Sequence, residues 1–325
     1  MAAVFLLSFL AAAGALGEAP SASVRLTEGC ECRFASAETG REILTADDVF
    51  TASLSRFDIQ CRLKTSKDAT LADWKQFVSE HVREWAGAEV ETVSRSLERL
   101  KSQLATFRLP LPPTITLVRT TGEEESNAAY TRAAAIILPA KVLKYDNAQL
   151  DRLMAHELFH LLSRQDGAVR AKLYEIIGFE VCEPIEMPPS LVPRKITNPD
   201  APLIDCTITL KAVNGITFTG APVLYSSSKH YDAKKGATLF QSLLFRLLVV
   251  EQRSGGWHPV LRNGEPVVIN PREESAFLER IGKNTNYIIH PDEILADNFV
   301  RLVMEDQNLQ TPGIIDAMRR LLTAR

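Results

Sequence analysis

Apolar residues recur at three-and-four spacing in two long stretches of this chain, and that spacing predicts helices. After Asp68, residues Leu71, Trp74, Phe77, Val78, His81, Val82 and Trp85 share one face, and Val90, Val93, Leu97, Leu100 and Leu104 continue it. One long helix is expected there, bent near Gly87 and ended before Pro110-Leu111-Pro112-Pro113. His81 lies within the stripe and is expected to pack. The second stretch, Gln149-Leu150-Asp151-Arg152-Leu153-Met154, continues into Ala155-His156-Glu157-Leu158-Phe159-His160-Leu161. Tyr145-Asp146-Asn147 supplies its N-cap, and Asp166-Gly167 is expected to close it with Gly167 as the C-cap.

Alternation with period two predicts strands. It occurs in Val49-Phe50-Thr51-Ala52-Ser53-Leu54 and in Phe57-Asp58-Ile59-Gln60-Cys61-Arg62-Leu63. Thr114-Ile115-Thr116-Leu117-Val118 and Ala133-Ala134-Ala135-Ile136-Ile137-Leu138 are further strands, the latter ended by Pro139. Lys172 to Phe179 reads as a short helix and turn, and the prolines from Pro184 to Pro202 mark a loop-rich stretch. Cys206–Leu210 and Ala221–Tyr225 read as strands, whereas the apolar run Leu239–Val250 is ambiguous by periodicity. Pro291 suits the first turn of a helix that carries Glu293 and Asp297 on one face. The fold class is therefore α+β. Its expected divisions are a leader over 1–22, an N-terminal extension over 23–66, helix, strands and motif helix over 67–167, an insert or substrate lobe over 168–285, and two closing helices over 286–325.

Composition narrows the possible functions. A net charge of −3 over 325 residues, with no like-charge block longer than Glu123-Glu124-Glu125, gives no basic footprint for nucleic acid. Ala2 to Ala13 is an apolar run followed by small residues, like the core and cleavage zone of a secretory signal peptide. No later apolar stretch reaches membrane-spanning length, so a secreted or periplasmic protein without stable membrane insertion is expected. In an oxidising compartment Cys182 could pair with Cys206, and Cys30 or Cys32 with Cys61, with one thiol left over. Buried free thiols are the alternative.

The chemistry concentrates in His156-Glu157-Leu158-Phe159-His160. Residues four apart share a helical face, so His156 and His160 can offer two imidazole nitrogens to one metal ion. Glu157, one step round, can take a proton from water beside the metal. A catalytic Zn²⁺ needs a third protein ligand. Asp166 occupies the metzincin position, but Ser163 replaces that motif's glycine. Glu180 lies at a thermolysin-like interval from His160, and Glu175 is nearer still. Glu293 is favoured, because two acids on one face of a core-like helix are costly to bury without a cation, and Asp297 can accept a hydrogen bond from a ligand histidine. His290 is a rival ligand.

Strands leading directly into an H-E-x-x-H helix resemble the zincin metallopeptidases. Glu293-Ile294-Leu295-Ala296-Asp297 resembles the glutamate helix of the gluzincins, especially the lethal-factor-like type. The resemblance covers roughly 114–167 and 286–303. It implies a zincin-like domain, with an edge strand above the helix holding extended substrate, elaborated by a long insert. It also implies a zinc endopeptidase acting on peptide or protein substrates, with Zn²⁺ on His156, His160 and Glu293, Glu157 as the base, Tyr287 as oxyanion donor and Asp297 orienting an imidazole. The alternative is a zincin-fold binding or adhesion protein whose metal is structural.

Overall fold

The computed structural model describes residues 22–212, 215–253 and 255–323. The leader expected over 1–22 lies, apart from its last residue, outside the described residues. Among those described, no helix is long and apolar enough to cross a membrane.

The architecture is mixed α and β. Strands β1 (Ser23–Thr27) and β2 (Cys30–Phe34) form a hairpin that opens the chain. Helices α1 (Ala37–Thr45), α2 (Val49–Ser53) and α3 (Arg56–Arg62) follow. Alternation suggested strands over 49–54 and 57–63, but capping decides otherwise. Asp48 and Ser55 each accept a bond from the backbone three residues on, and Thr51 and Asp58 bond back, which satisfies the first orphan N–H groups of both helices. Phe57 to Arg62 is buried throughout, so a short alternating run there carried no information about which face was inside.

The expected long helix is two helices, α4 (Leu71–His81) and α5 (Gly87–Leu104), separated by the short strand β3 (Val82–Arg83). β3 breaks the helix by pairing with β4 (Thr114–Thr120). His81 packs as expected, its Nδ1 2.8 Å from the Phe77 carbonyl. β5 (Tyr130–Arg132) and β6 (Ala135–Pro139) complete the first sheet, ordered β1-β2-β4-β6-β5, with β3 paired to β4. β4 runs parallel to β2 and β6, and the edge strand β5 is antiparallel to β6.

Below this sheet runs α6 (Asn147–Gln165), started by a capping box between Asp146 and Gln149. Asp166 closes it and, through its carboxylate, caps α7 (Gly167–Ile176). Gly167 is therefore the first residue of α7, not a C-cap. The acid takes the Ala168 and Val169 N–H groups, so the chain passes from helix to helix without a left-handed residue. The left-handed step comes at Gly178 (φ 82°), which turns α7 into β7 (Phe179–Val181).

A second, antiparallel sheet follows: β7, β8 (Cys206–Lys211), β9 (Thr217–Ser226), β10 (Leu243–Arg253) and β11 (Gly256–Pro259), in that order across the sheet. A four-residue helix, α8 (Leu239–Ser242), precedes β10 and resolves the ambiguous run into a turn of helix and a strand. Short strands β12 (Leu261–Arg262), β13 (Glu265–Pro266) and β14 (Val268–Ile269) follow, then helices α9 (Ser275–Ile281), α10 (Pro291–Val303) and α11 (Pro312–Thr323).

The packing that positions the site is α6 against α10. Leu158, Phe159 and Leu162 from α6 and Ile294, Leu295 and Phe299 from α10 are wholly buried in the main core. Phe159 and Phe299 rings lie 5.7 Å apart. Each such side chain contributes roughly 1.5–3 kcal/mol on burial, enough to fix both helices in register. All five cysteines are free, so the expected pairings of Cys182 with Cys206 and of Cys30 or Cys32 with Cys61 are not formed. Burial holds the Cys61 thiol at about 12 and the Cys182 thiol at about 11, so both are protonated at neutral pH.

Candidate metal centre

The α6–α10 interface is apolar except where the two helices turn acids and imidazoles toward one another. His156 and His160, four apart on α6, face Glu293 in the first turn of α10. His156 Nε2 lies 3.1 Å and His160 Nε2 3.5 Å from the same oxygen, Glu293 Oε2. The three side chains converge tightly enough to share one ion.

Each ring is anchored on its far nitrogen by a second acid from α10. His156 Nδ1 is 3.2 Å from Asp297 Oδ1, and His160 Nδ1 is 2.7 Å from Asp292 Oδ2. These acids are themselves held. Thr285 donates its hydroxyl to Asp297, while Ser163 and Tyr174 donate to Asp292 at 2.6 and 3.0 Å. An imidazole that gives its Nδ1 proton to a carboxylate presents a bare lone pair at Nε2, as a metal ligand requires. His160 Nε2 is buried and makes no hydrogen bond, and neither does Glu157 Oε2. Three convergent donors, one of them the unbonded His160 Nε2, with the unbonded Glu157 Oε2 beside them, fit a bound cation.

The charge balance agrees. Asp292, Glu293, Asp297, Glu157 and Asp200 surround two imidazoles. Burial alone would lower the pKa of His156, but its bonds to Asp297 and Glu293 outweigh this and push it up to about 10. For His160 burial is again opposed, here by the charges of Asp200 and Glu293 and the bond to Asp292, and its pKa rises well above the usual range. Glu293, which burial would raise, is brought well below the usual carboxylate range by the two histidines. Burial and the charge of Asp200 raise Glu157 to about 8. Without a cation, then, the site recruits protons to offset its acids.

A cavity of about 600 Å³ opens over the centre, lined by His156, Glu157, Glu293, Asp297, Tyr287 and Asp200 among others. The Tyr287 ring stands 6.3 Å from that of His156, beside the expected base and ligand. The structure thus brings together all six residues singled out around the motif: His156, Glu157, His160, Tyr287, Glu293 and Asp297.

The other candidate ligands lie elsewhere. Asp166 caps α7, and Glu175 and Glu180 are exposed on α7 and β7. His290 N-caps α10, accepting from the Asp292 N–H through Nδ1 with Nε2 4.0 Å from Cys206 Sγ.

Three residues were not foreseen. Asp292 could have been read from its neighbour Glu293, since adjacent helical acids reach both histidines. Asn198, whose Nδ2 donates to Glu293 Oε1 at 2.6 Å, and Asp200 come from the proline-rich loop, where no periodicity points to a partner. That loop is nailed down by α3. Asp58 accepts from the Thr197 N–H and hydroxyl at 3.0 and 2.8 Å, Arg62 donates to the Thr197 carbonyl at 3.0 Å, and Ser55 donates to the Lys195 carbonyl at 2.6 Å.

Comparison with protein-family models, curated proteins and solved structures returned no match.

Proposed function

We propose that this chain is an exported zinc metallopeptidase of the gluzincin kind, with a zincin-like arrangement of edge strand, motif helix and glutamate helix. The supporting observation is the convergence of His156, His160 and Glu293, with both imidazoles anchored by acids from the same helix that carries the glutamate. The antiparallel edge strand β5, which packs beside α6, supports the zincin-like reading. His156, His160 and Glu293 would hold the ion. When bound there, Zn²⁺ supplies Lewis acidity and makes water a better acid.

The chain's own groups do the rest. Glu157 is buried beside the centre with one oxygen free, so it can accept a proton from the attacking water and pass it to the departing amine. Tyr287, whose hydroxyl burial keeps protonated well above the usual pH range, donates to the carbonyl oxygen as negative charge develops on it. Asp297 and Asp292 keep the rings in the tautomer that turns Nε2 inward. Asn198 occupies one oxygen of Glu293 and leaves Oε2, the atom nearest both imidazoles, as its donor.

Replacing Glu157 by Gln preserves shape and removes the base. Glu157→Gln should keep one zinc per chain by elemental analysis and lose peptide hydrolysis by at least about 100-fold. Full hydrolysis by that variant would refute the mechanism, and absence of stoichiometric zinc in the unaltered protein would refute the metal centre.

A further inference from the structure

The loop carrying Asn198 and Asp200 closes onto the edge strand β5, with Asp200 in the wall of the cleft. Asp200 Oδ1 accepts from the Thr131 N–H at 2.7 Å and from the Thr131 hydroxyl at 2.6 Å. Thr131 is the middle residue of the edge strand β5, so its outward N–H is already taken and an added peptide strand cannot use it. Arg164 of α6 locks the closure, donating to Thr131 Oγ1 at 2.8 Å, to the Asp200 carbonyl at 3.2 Å and to the Ala133 carbonyl at 2.8 Å. Asp200 lines three cavities: one of about 600 Å³ with Glu157, His156 and Tyr287, one of about 270 Å³ with His160, Ser163 and Asp292, and one of about 50 Å³ with Asn198 and Tyr287.

This part of the wall is acidic and close to the chemistry. Carboxylate oxygens of Asp200 and Glu157 and a ring nitrogen of His160 lie within 4.8 Å of one another. In a peptide the α-nitrogen is about 2.5 Å from the carbonyl carbon of the same residue, given the N–Cα and Cα–C bond lengths. A group that binds the α-nitrogen must therefore sit within about one hydrogen bond of that radius, close to base and ligands, as Asp200 does. An endopeptidase needs chain on both sides of the scissile bond, and here a carboxylate tied to β5 stands in the cavity wall beside the base. The rest of that cavity is lined by Ala129, Gln149, Leu153, Arg152 and Arg301 among others.

We propose that Asp200 is the receptor for a free α-ammonium group, so that the enzyme is an aminopeptidase releasing the first residue of a peptide. This rests on the metallopeptidase reading and replaces the endopeptidase expectation. In the reaction the C–N bond after the first residue breaks, water supplies hydroxyl to the carbonyl carbon, and the remaining proton goes to the amine of the shortened peptide. An acetylated N-terminus would bring a carbonyl oxygen and a methyl group against a half-buried carboxylate, with no positive charge to meet it.

The test compares one peptide sequence with a free and an acetylated N-terminus on the zinc-loaded full chain, with products identified by mass spectrometry. The free peptide should lose its first residue, with kcat/KM about 100-fold above any cleavage of the acetylated form. In the zinc-loaded Glu157→Gln protein, calorimetry should show the free peptide binding at least about 10-fold tighter than the acetylated one. Asp200→Asn keeps an oxygen for both Thr131 bonds, so its thermal midpoint should hold while KM for the free peptide rises by about 100-fold.

Internal cleavage of the acetylated peptide at the rate of the free one would overturn the proposal. So would higher activity of Asp200→Asn on both peptides, which would mark Asp200 as a blocking ligand. Failure of the zinc-loaded protein to bind or cleave either peptide would instead overturn the peptidase reading beneath it.

Discussion

Two clusters of largely buried acids meet at the loop 195–200, and they are balanced in opposite ways. In the first, Arg62 donates to Glu125 at 2.8 and 2.7 Å and to Asp58 at 2.6 Å, and the side chains of Arg62 and Asp58 are 1% and 0% exposed. Asp58 takes the Thr197 and Ser55 N–H groups as well. The cluster carries its own cation. In the second, five carboxylates gather about two imidazoles, and His160 Nε2 and Glu157 Oε2 make no hydrogen bond. Burying acids costs several kcal/mol each unless a cation meets them. The first cluster therefore reads as structure, completed within the chain, whereas the second leaves donors that could hold a cation from outside.

The largest effect that would break this contrast is the loss of the internal cation. Arg62→Met should destabilise the fold by about 3–5 kcal/mol, measured by urea denaturation, because Asp58 and Glu125 stay buried without it. A loss under about 1 kcal/mol would mean that the first cluster is no better balanced by its chain than the second.

The second cluster is sharpened by pH. His156 has its pKa raised to about 10 in the metal-free protein, and it can bind an ion only after losing that proton. The sign follows: below about pH 10 protons compete with zinc, so apparent affinity should rise about tenfold per pH unit for each proton displaced. Calorimetry in buffers of different ionisation enthalpy should show proton release on zinc binding at pH 7. Binding without release would mean that the imidazoles are already neutral and the excess of acid is not real.

How much of this was legible depended on whether the cause was local. The α6 helix, its Asp146 cap and the Pro291 start of α10 are written in neighbouring residues, and the structure has them where the sequence put them. The shared face of Glu293 and Asp297 was accessible too, because helical spacing fixes it, and the cost of burying both acids pointed them toward the histidines. By contrast, α2 and α3 were misread because alternation outweighed the Asp48–Thr51 and Ser55–Asp58 capping boxes, which were present in the sequence. Asn198 and Asp200 were out of reach. Their place over the centre is set by contacts with α3 and β5, distant in sequence, and no local pattern encodes such a docking.

The smallest effect divides the second cluster itself, through its two imidazole anchors. The Asp292 side chain is 4% exposed and receives Ser163 and Tyr174 as well as His160, whereas Asp297 is 33% exposed and receives Thr285 and His156. Changing a carboxylate that anchors a ligand histidine typically costs about 10–100-fold in metal affinity. Water can take over at Asp297, which lines the open cavity, but has little access to Asp292. Asp292→Asn should therefore lie near the upper end of that range and Asp297→Asn near the lower, in competition titrations against a zinc chelator. Equal losses would show that charge alone sets the affinity. The reverse order would show that His156, not the more buried His160, is the ring whose orientation limits binding.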